Sequence, residues 1–541
     1  MPTAPSAAAP PSALPSAPPG SIESRDPATG RVWRRFDPVS ADAVAAAVAA
    51  ARAAQPAWAA RPLDERLQVV ARFHRLLFAR RAEVAELLVR EAGKPWADAM
   101  ASEVLITLDQ ARFYLDEAPR VLRPTTVRPR SLAMLRKQVH VTHEAWGVVG
   151  VIAPWNYPFM LAAGHTLPAL LAGNAVVLKP SELTPHSGVL LGELLHAAGV
   201  PAAVLHVLPG DGATGAALSA GDVDKVFFTG SVATGRRVAE ACARRLVPCV
   251  LELGGSDPAV VLDDADVAHA AAGIAWGRFS NAGQTCVAPK RVYVTAPAYE
   301  PFVAALAGVV AGLRVGPGEA AESDLGPLIR PSQAAALRAQ LDDALAGGAR
   351  VVAEGALTAA AAAGAAADPE GSGFFPPTVL ADVRPDARVL REETFGPLLP
   401  VVRVRDADEA VRLANASVFG LSASVWTRDA AVGRRVADRL QAGTVVINDS
   451  VIVAGMAEVP HGGVKESGMG RSHGTAGLLE CVRTKTVVTD RLAGVAQPWW
   501  FRGAPGARAA AIEGFARLAH GHGARERLGG LAGTIRLLRG R

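Results

Sequence analysis

Between Trp146 and Leu253 the chain repeats one pattern, a short and continuous apolar run followed by a longer segment of helical composition. The runs are GVVGVIA at 147–153, AVVL at 175–178, VLHVL at 204–208, KVFF at 225–228 and PCVLEL at 248–253. A strand with one face in water alternates apolar and polar residues, whereas a strand that is apolar throughout is covered on both faces. Helices between the strands supply that cover, and the crossovers they make leave the strands parallel. Residues 186–198, ended by Gly199, are one such helix. A parallel α/β sheet of this kind receives its ligands at the carboxyl ends of its strands. Asn156 follows the first strand, Lys179 ends the second and Gly230 follows the fourth.

At 541 residues the chain exceeds one ordinary core, so two or more domains are expected. Ser40 is a plausible N-cap for an Ala-rich helix over 41–54, with Pro56 close to its end. Leu67, Val70, Phe73, His74 and Leu77 recur at helical spacing, which makes His74 a packed core histidine rather than a ligand. A second α/β region runs from 251 to 435, with candidate strands near 291–294 and 400–404. The Ala-rich stretch 356–368 reads as a low-complexity surface insertion.

Two stretches carry chemistry. FSNAGQTCVAPK, residues 279–290, sets Cys286 after a Gly-Gln-Thr turn. A lone cysteine is by itself as often a buried packing residue as a nucleophile. LELGGSDP at 251–258 changes the balance, because it places Glu252 at the end of an apolar run just before Gly254 and Gly255. A thiol that attacks and a carboxylate that later activates water suit a two-step covalent mechanism. FTGSVATG at 228–235 is not GxGxxG, but Gly230 and Gly235 bracket a turn whose N–H groups, around Ser231, could face a pyrophosphate at a helix N-terminus. KPSE at 179–182 puts Lys179 and Glu182 directly after a strand, where a solvated charge pair is the bland alternative.

PWNYPF at 154–159, KPSE, FTGSVATG, LELGG and GQTC, joined by EETFGP at 392–397 and PHGGVKESGMGR at 460–471, together resemble the aldehyde dehydrogenase superfamily over roughly residues 21–490. The resemblance implies an aldehyde dehydrogenase-like α/β fold. Residues 21–250 would form a Rossmann-type cofactor domain, with part of an oligomerisation arm near 122–145. Residues 251–435 would form the α/β catalytic domain, and 436–490 the return segment and the rest of the arm. The implied activity is oxidation of an aldehyde through a thiohemiacetal and a thioester on Cys286, with Glu252 activating water. The Asn156 amide and the Cys286 backbone N–H are the candidate oxyanion donors. Lys179 is assigned to the adenosine ribose, Ser231 to the phosphate, Trp155 to the dinucleotide wall, Glu393 to the nicotinamide ribose and Phe395 to the nicotinamide. An acid at Glu182 accepts from ribose hydroxyls and repels a 2′-phosphate, so NAD is expected in preference to NADP.

Several features are particular to this chain. Lys290, four residues after Cys286, reads as structural, and Ser472 stands where family members often carry an acid, so the resemblance does not carry a proton relay over to that position. The GMGRSHG ending leans towards the branch with fatty and aromatic aldehyde enzymes. By resemblance the loop 449–459 lines the substrate mouth, offering Val451, Ile452, Val453 and Met456 and no arginine. An apolar aldehyde, medium to long chain or aromatic, is therefore expected. Succinate semialdehyde and a non-catalytic membrane-associated scaffold are the alternatives. A homodimer or homotetramer is implied.

Four cysteines without a CxxC or a Cys/His cluster give neither a disulfide framework nor a metal site and suit a reducing, cytoplasmic setting. Of the net charge of +5, residues 491–541 hold +7, nine arginines against Glu513 and Glu526, so the rest sums to −2. A body without a basic patch is not built to hold nucleic acid. The Pro/Ala/Ser-rich residues 1–20 read as a disordered tail. Residues 491–541 read as a basic amphipathic extension, in which Trp499, Trp500, Phe501 and Arg502 precede Ile512, Phe515, Leu518 and Ala519 at helical spacing. Such a segment suits peripheral contact with an anionic membrane or packing against protein.

Overall fold

The computed structural model describes residues 20–131, 134–368, 371–495, 497, 500–501 and 504–538. The tail expected at 1–20 lies outside the described residues except for Gly20, as do Trp499, Arg502 and residues 539–541 of the closing segment. The chain divides into two compact units, one running to Val121 and resuming over Ala145–Val482, the other formed by Leu122–Glu144 and Arg483–Arg541.

In the first unit the five apolar runs form one sheet, in the order Gly468–Met469, Cys249–Glu252, Lys225–Thr229, Val148–Ile152, Ala175–Lys179, Leu205–Val207. The five expected strands are mutually parallel, and Gly468–Met469 adds an antiparallel edge. Val148–Ile152 and Ala175–Lys179 are buried at every position, as their unbroken apolar character requires. From Val148–Ile152 the chain builds outwards on one side and then on the other. The gap between that strand and Lys225–Thr229 is the topological switch point, where a crevice opens at the carboxyl ends.

A second sheet has the order Arg350–Glu354, Thr378–Ala381, Leu398–Val404, Pro289–Thr295, Asp257–Val261, Ser422–Trp426, Thr444–Ile447. It is parallel apart from the Arg350–Glu354 edge. The strands expected near 291–294 and 400–404 are both in it. Thr444–Ile447 still pairs with Ser422–Trp426, so this sheet keeps the chain beyond the boundary expected at 435.

Tertiary packing overrode local pattern in several places. Ser40 caps its helix, with Oγ accepting from Ala43 N at 3.3 Å, but the helix runs Ala41–Ala59 with Pro56 inside it. Its last turn is anchored by buried Trp58, whose Nε1 donates to Leu170 O at 2.9 Å. In Leu63–Ala79 the buried residues are Val69, Val70, Phe73 and Leu77, and His74 is only half-buried at the edge of the stripe. The Ala-rich stretch is not a mere surface insertion. Thr358 caps a helix at Ala359–Ala367, and Ala361 packs into the core under the second sheet.

In the second unit Thr125–Val127, Lys137–Ala145 and Val482–Asp490 form a three-stranded sheet. Asp490 accepts from Arg136 Nε at 2.7 Å and Lys137 Nζ at 2.8 Å. Pro505–His520 and Ala524–Leu538 form a helical hairpin. Its stripe differs from the expected one. Ala511 and Gly514 are buried and Ile512 is exposed, because the helices approach through small residues, so closely that a Cβ on Gly530 would lie 2.6 Å from Gly514 O. Among the described residues no helix is long and apolar enough to cross a membrane.

Candidate active site

A cavity of about 240 Å³ opens at the switch point, and Asn156, Trp155, Gly230, Ser231, Glu252, Cys286, Glu393 and Phe395 all line it. Residues as far as 240 positions apart in sequence thus meet because three strand ends and the loops before Pro289–Thr295 and Leu398–Val404 converge there. Lys179, Glu182 and Gly235 do not line it. Lys179 ends the neighbouring strand, buried, with Nζ 3.3 Å from Glu182 Oε2. Gly235 packs against Leu253, whose Cδ2 would lie 2.5 Å from a Cβ at that position. A larger cavity, about 430 Å³ around Arg291 and Tyr293, has no cysteine or carboxylate in its lining.

The loop bearing Cys286 is strained and held from several sides. After Val267–Phe279, Asn281, Ala282 and Gly283 all take left-handed backbone, with φ of 53°, 53° and 73°. That conformation costs a residue with a Cβ about 1–2 kcal/mol. Asp98 Oδ2 accepts from Asn281 N at 3.0 Å, Asn281 Nδ2 donates to Asn156 O at 3.0 Å, and Gln284 Oε1 accepts from Ile329 N at 2.9 Å. Arg278 donates to the carbonyls of Thr394 and Gly396 behind it. A Cβ on Gly283 would sit 2.5 Å from the Gly396 carbonyl carbon, so glycine is required there twice over.

The Asn156 turn is tied to the same loop. Asn156 Nδ2 donates to Gln284 O at 3.0 Å, and the Tyr157 hydroxyl and Thr285 Oγ1 are 2.6 Å apart. Below the turn, buried Lys94 lies 3.7 Å from the Tyr157 ring centroid and 3.1 Å from Glu103 Oε1. Glu103 Oε2 in turn accepts from Phe159 N and Met160 N, each at 3.0 Å. One buried ion pair therefore fixes the backbone on which Asn156 sits.

Burial dominates the electrostatics. It pushes the Cys286 thiol up to about 12, with Lys290 acting in the opposite direction and Asp257, Glu252 and Glu393 adding to the rise. Glu252 is pushed up to about 8 by burial, against the hydrogen bond from Ser472 and the charge of Arg471. Ser472 Oγ donates to Glu252 Oε1 at 3.0 Å, and Glu252 Oε2 lies 3.8 Å from His461 Nε2. His461 and His473 stack with centroids 5.6 Å apart, and burial lowers them to about 4 and about 3, so both imidazoles are neutral around pH 7.

Comparison with known proteins places the sequence and the fold in one family. The family model described as the aldehyde dehydrogenase family matches residues 14–487. The chain belongs to the aldehyde dehydrogenase family. A Mycobacterium tuberculosis protein named for succinate-semialdehyde dehydrogenase activity with NADP(+) is 38% identical over 474 residues, 87% of this chain and 89% of that protein. A 4,4′-diapolycopene aldehyde oxidase of a Methylomonas species is 37% identical over 481 residues, covering 89% of this chain and 88% of its own. The NAD+ complex of a Bacillus cereus aldehyde dehydrogenase superposes with a TM-score of 0.81 at 34% identity, over 87% of this chain and 93% of that one.

Aldehyde dehydrogenases use a nicotinamide dinucleotide, and the residues present fit one. Ser231 caps Val232–Ala243, presenting a helix N-terminus to the cavity, and Trp155 meets Phe395 edge-on at 5.4 Å. Gly255 N donates to Glu393 Oε1 at 3.0 Å, and a side chain at Gly254 would collide with the same carboxylate. Several residues of this aldehyde dehydrogenase escaped sequence reasoning. Arg330 and Gln333 line the cavity, and the partners Asp98, Lys94, Glu103 and His461 sit behind it. Tyr157 and Ser472 lay within or beside quoted motifs, whereas Lys94 and Glu103 carried no signal. The 449–459 loop also differs from expectation. Val453 is buried, Ile452 and Met456 are exposed, and none of the four named apolar residues lines the cavity.

Proposed function

We propose that Cys286 is the nucleophile and Glu252 the base in the oxidation of an apolar aldehyde by a nicotinamide dinucleotide. The observation that carries the reading is one cavity lined at once by a thiol, a carboxylate, a side-chain amide and five of the residues assigned to the dinucleotide, Trp155, Gly230, Ser231, Glu393 and Phe395. The Cys286 thiolate adds to the aldehyde carbon, forming a C–S bond and an oxyanion. The Asn156 amide and the Cys286 N–H donate to that oxyanion, and losing one such donor costs about 2.7–4 kcal/mol of barrier. The dinucleotide, when bound, accepts the hydride and so supplies the oxidising power. Glu393 and Phe395 would hold its nicotinamide end, Ser231 a phosphate, and Lys179 with Glu182 the adenosine ribose. Glu252 then takes a proton from water, the water oxygen bonds to the thioester carbon, and the C–S bond breaks to give the acid and the Cys286 thiolate. Cys286→Ser tests this. Oxidation should vanish while dinucleotide binding by fluorescence persists, and substantial remaining turnover would contradict the nucleophile.

The apolar aldehyde rests on the resemblance that assigns the 449–459 loop to the substrate mouth, a loop in which Ile452 and Met456 are exposed although they do not line the cavity. One observation favours succinate semialdehyde instead. Arg330 lines the cavity and could hold a second carboxylate, and relatives carry that name. Initial rates with decanal, benzaldehyde and succinate semialdehyde separate the two. Glu182 supports NAD over NADP although those relatives are named for NADP(+). Glu182→Ser should then raise the NADP to NAD ratio of kcat/KM.

The arm strands support a homodimer or homotetramer, which sedimentation velocity would measure. The arginines of the C-terminal hairpin and exposed Phe501, which precedes it, support peripheral contact with anionic lipid. Equal cosedimentation of full-length protein and a chain ending at Asp490 with anionic vesicles would refute that contact.

A further inference from the structure

Lys290 is completely buried beneath the nucleophile. Its Nζ donates to Thr285 O at 3.0 Å and to Cys286 O at 2.6 Å, and it stands 3.8 Å from Glu393 Oε1. The Thr285 carbonyl and the Cys286 N–H belong to one peptide plane. No cis peptide occurs among the described residues, and in a trans peptide the two groups point in opposite directions. A cation that grips the carbonyl end therefore fixes where the N–H end points. An ammonium on the carbonyl also polarises the amide, strengthening its N–H as a donor. The same charge is the largest influence opposing burial at the Cys286 thiol. The charged groups that face Lys290 are Glu393, Asp257 and Arg278, from three different elements. Glu393 thus competes with the thiolate for the Lys290 charge.

We propose that Lys290 is a positioning residue for the oxidation step, aiming the Cys286 N–H at the developing oxyanion and holding the Cys286 thiolate with a charge it shares with Glu393. This goes beyond the sequence reading of Lys290 as merely structural, and it rests on Cys286 being the nucleophile. Cys286→Ser tests that premise separately, since turnover by that variant would remove the nucleophile without bearing on what Lys290 does to the thiol.

The measurement is the rate constant for alkylation of Cys286 by iodoacetamide at about pH 8, in the full chain without nucleotide, followed by mass spectrometry of the Cys286 peptide. Removing an adjacent opposite charge typically moves a titrating group by about one to three pH units. Lys290→Met should therefore slow alkylation at least about tenfold. Lys290→Arg keeps the charge and should stay within about threefold of wild type. A lysine that only packed would leave the rate unchanged or raise it by loosening the loop, and either result in folded Lys290→Met overturns the proposal. Should that variant not fold, Glu393→Gln decides. Neutralising the competing carboxylate should speed alkylation several-fold, and an unchanged or slower rate overturns the proposal.

Discussion

Ser472→Ala removes one hydrogen bond to the base and reaches the nucleophile only through the charge of Glu252. In the wild type Ser472 Oγ donates to Glu252 Oε1 at 3.0 Å, and this bond works against the burial that raises the carboxyl to about 8. A hydrogen bond to a charged group contributes about 1.5–3 kcal/mol, and one pH unit corresponds to about 1.36 kcal/mol. Alanine should therefore raise Glu252 by a further one to two units, roughly. Only the ionised carboxylate can take a proton from water, so hydrolysis of the thioester rises with pH through the Glu252 midpoint. At about pH 7.5 the ionised fraction falls from about a quarter to a few per cent for one unit, a loss of about eightfold, and nearer eightyfold for two. Attack by Cys286 and loss of hydride do not use Glu252. Stopped-flow records of reduced dinucleotide, taken from about pH 6 to about pH 10, should thus show a first-turnover burst of unchanged amplitude. The steady rate should reach half-maximum one to two pH units higher than in wild type. A midpoint that stays put or moves down would refute the argument that the Ser472 hydroxyl supports the ionised base.

The other predictions concern the same machinery. Glu252→Gln should leave the burst and nearly abolish the steady rate. It also bears on stability, because a carboxyl raised from its ordinary 4.5 to about 8 costs nothing below pH 4.5 and a growing amount as pH rises towards 8. The amide should therefore raise Tm over wild type at about pH 9 and not at about pH 4. Gly283→Ala combines a φ of 73° with a Cβ placed 2.5 Å from the Gly396 carbonyl carbon. It should lower unfolding free energy by about 3 kcal/mol or more in urea titration. Lys94→Met leaves Glu103 as a buried charge without its cation and should destabilise by about 3–5 kcal/mol. Adding Glu103→Gln, which keeps an acceptor for Phe159 N and Met160 N, should restore more than half of that loss.

The strands of the first sheet were legible because burial on both faces writes itself into consecutive apolar residues, a signal that needs no knowledge of partners. The same holds for Ser40 as a cap and for Gly199 as a helix stop, both local hydrogen-bonding or backbone requirements. Cys286, Glu252, Asn156, Glu393 and Phe395 were recognisable from residue types in fixed motifs, and their shared cavity agrees with that. Features set by contacts across the chain were not legible. Pro56 does not end its helix because Trp58 is anchored on Leu170, and Ala361 belongs to a core that its poly-alanine neighbourhood conceals. Gly235 lies against Leu253, and Ile512 lost its place on a buried stripe to the small residues that let two helices meet. Glu252 and Ser472 are separated by 220 positions, and only the antiparallel edge at Gly468–Met469 brings the hydroxyl to the carboxylate. Sequence thus determined the layered sheets and the kinds of chemistry present, since periodicity and residue type act locally. Tertiary structure alone decided which charge faces which, because burial and pairing energies depend on distances that no spacing along the chain encodes.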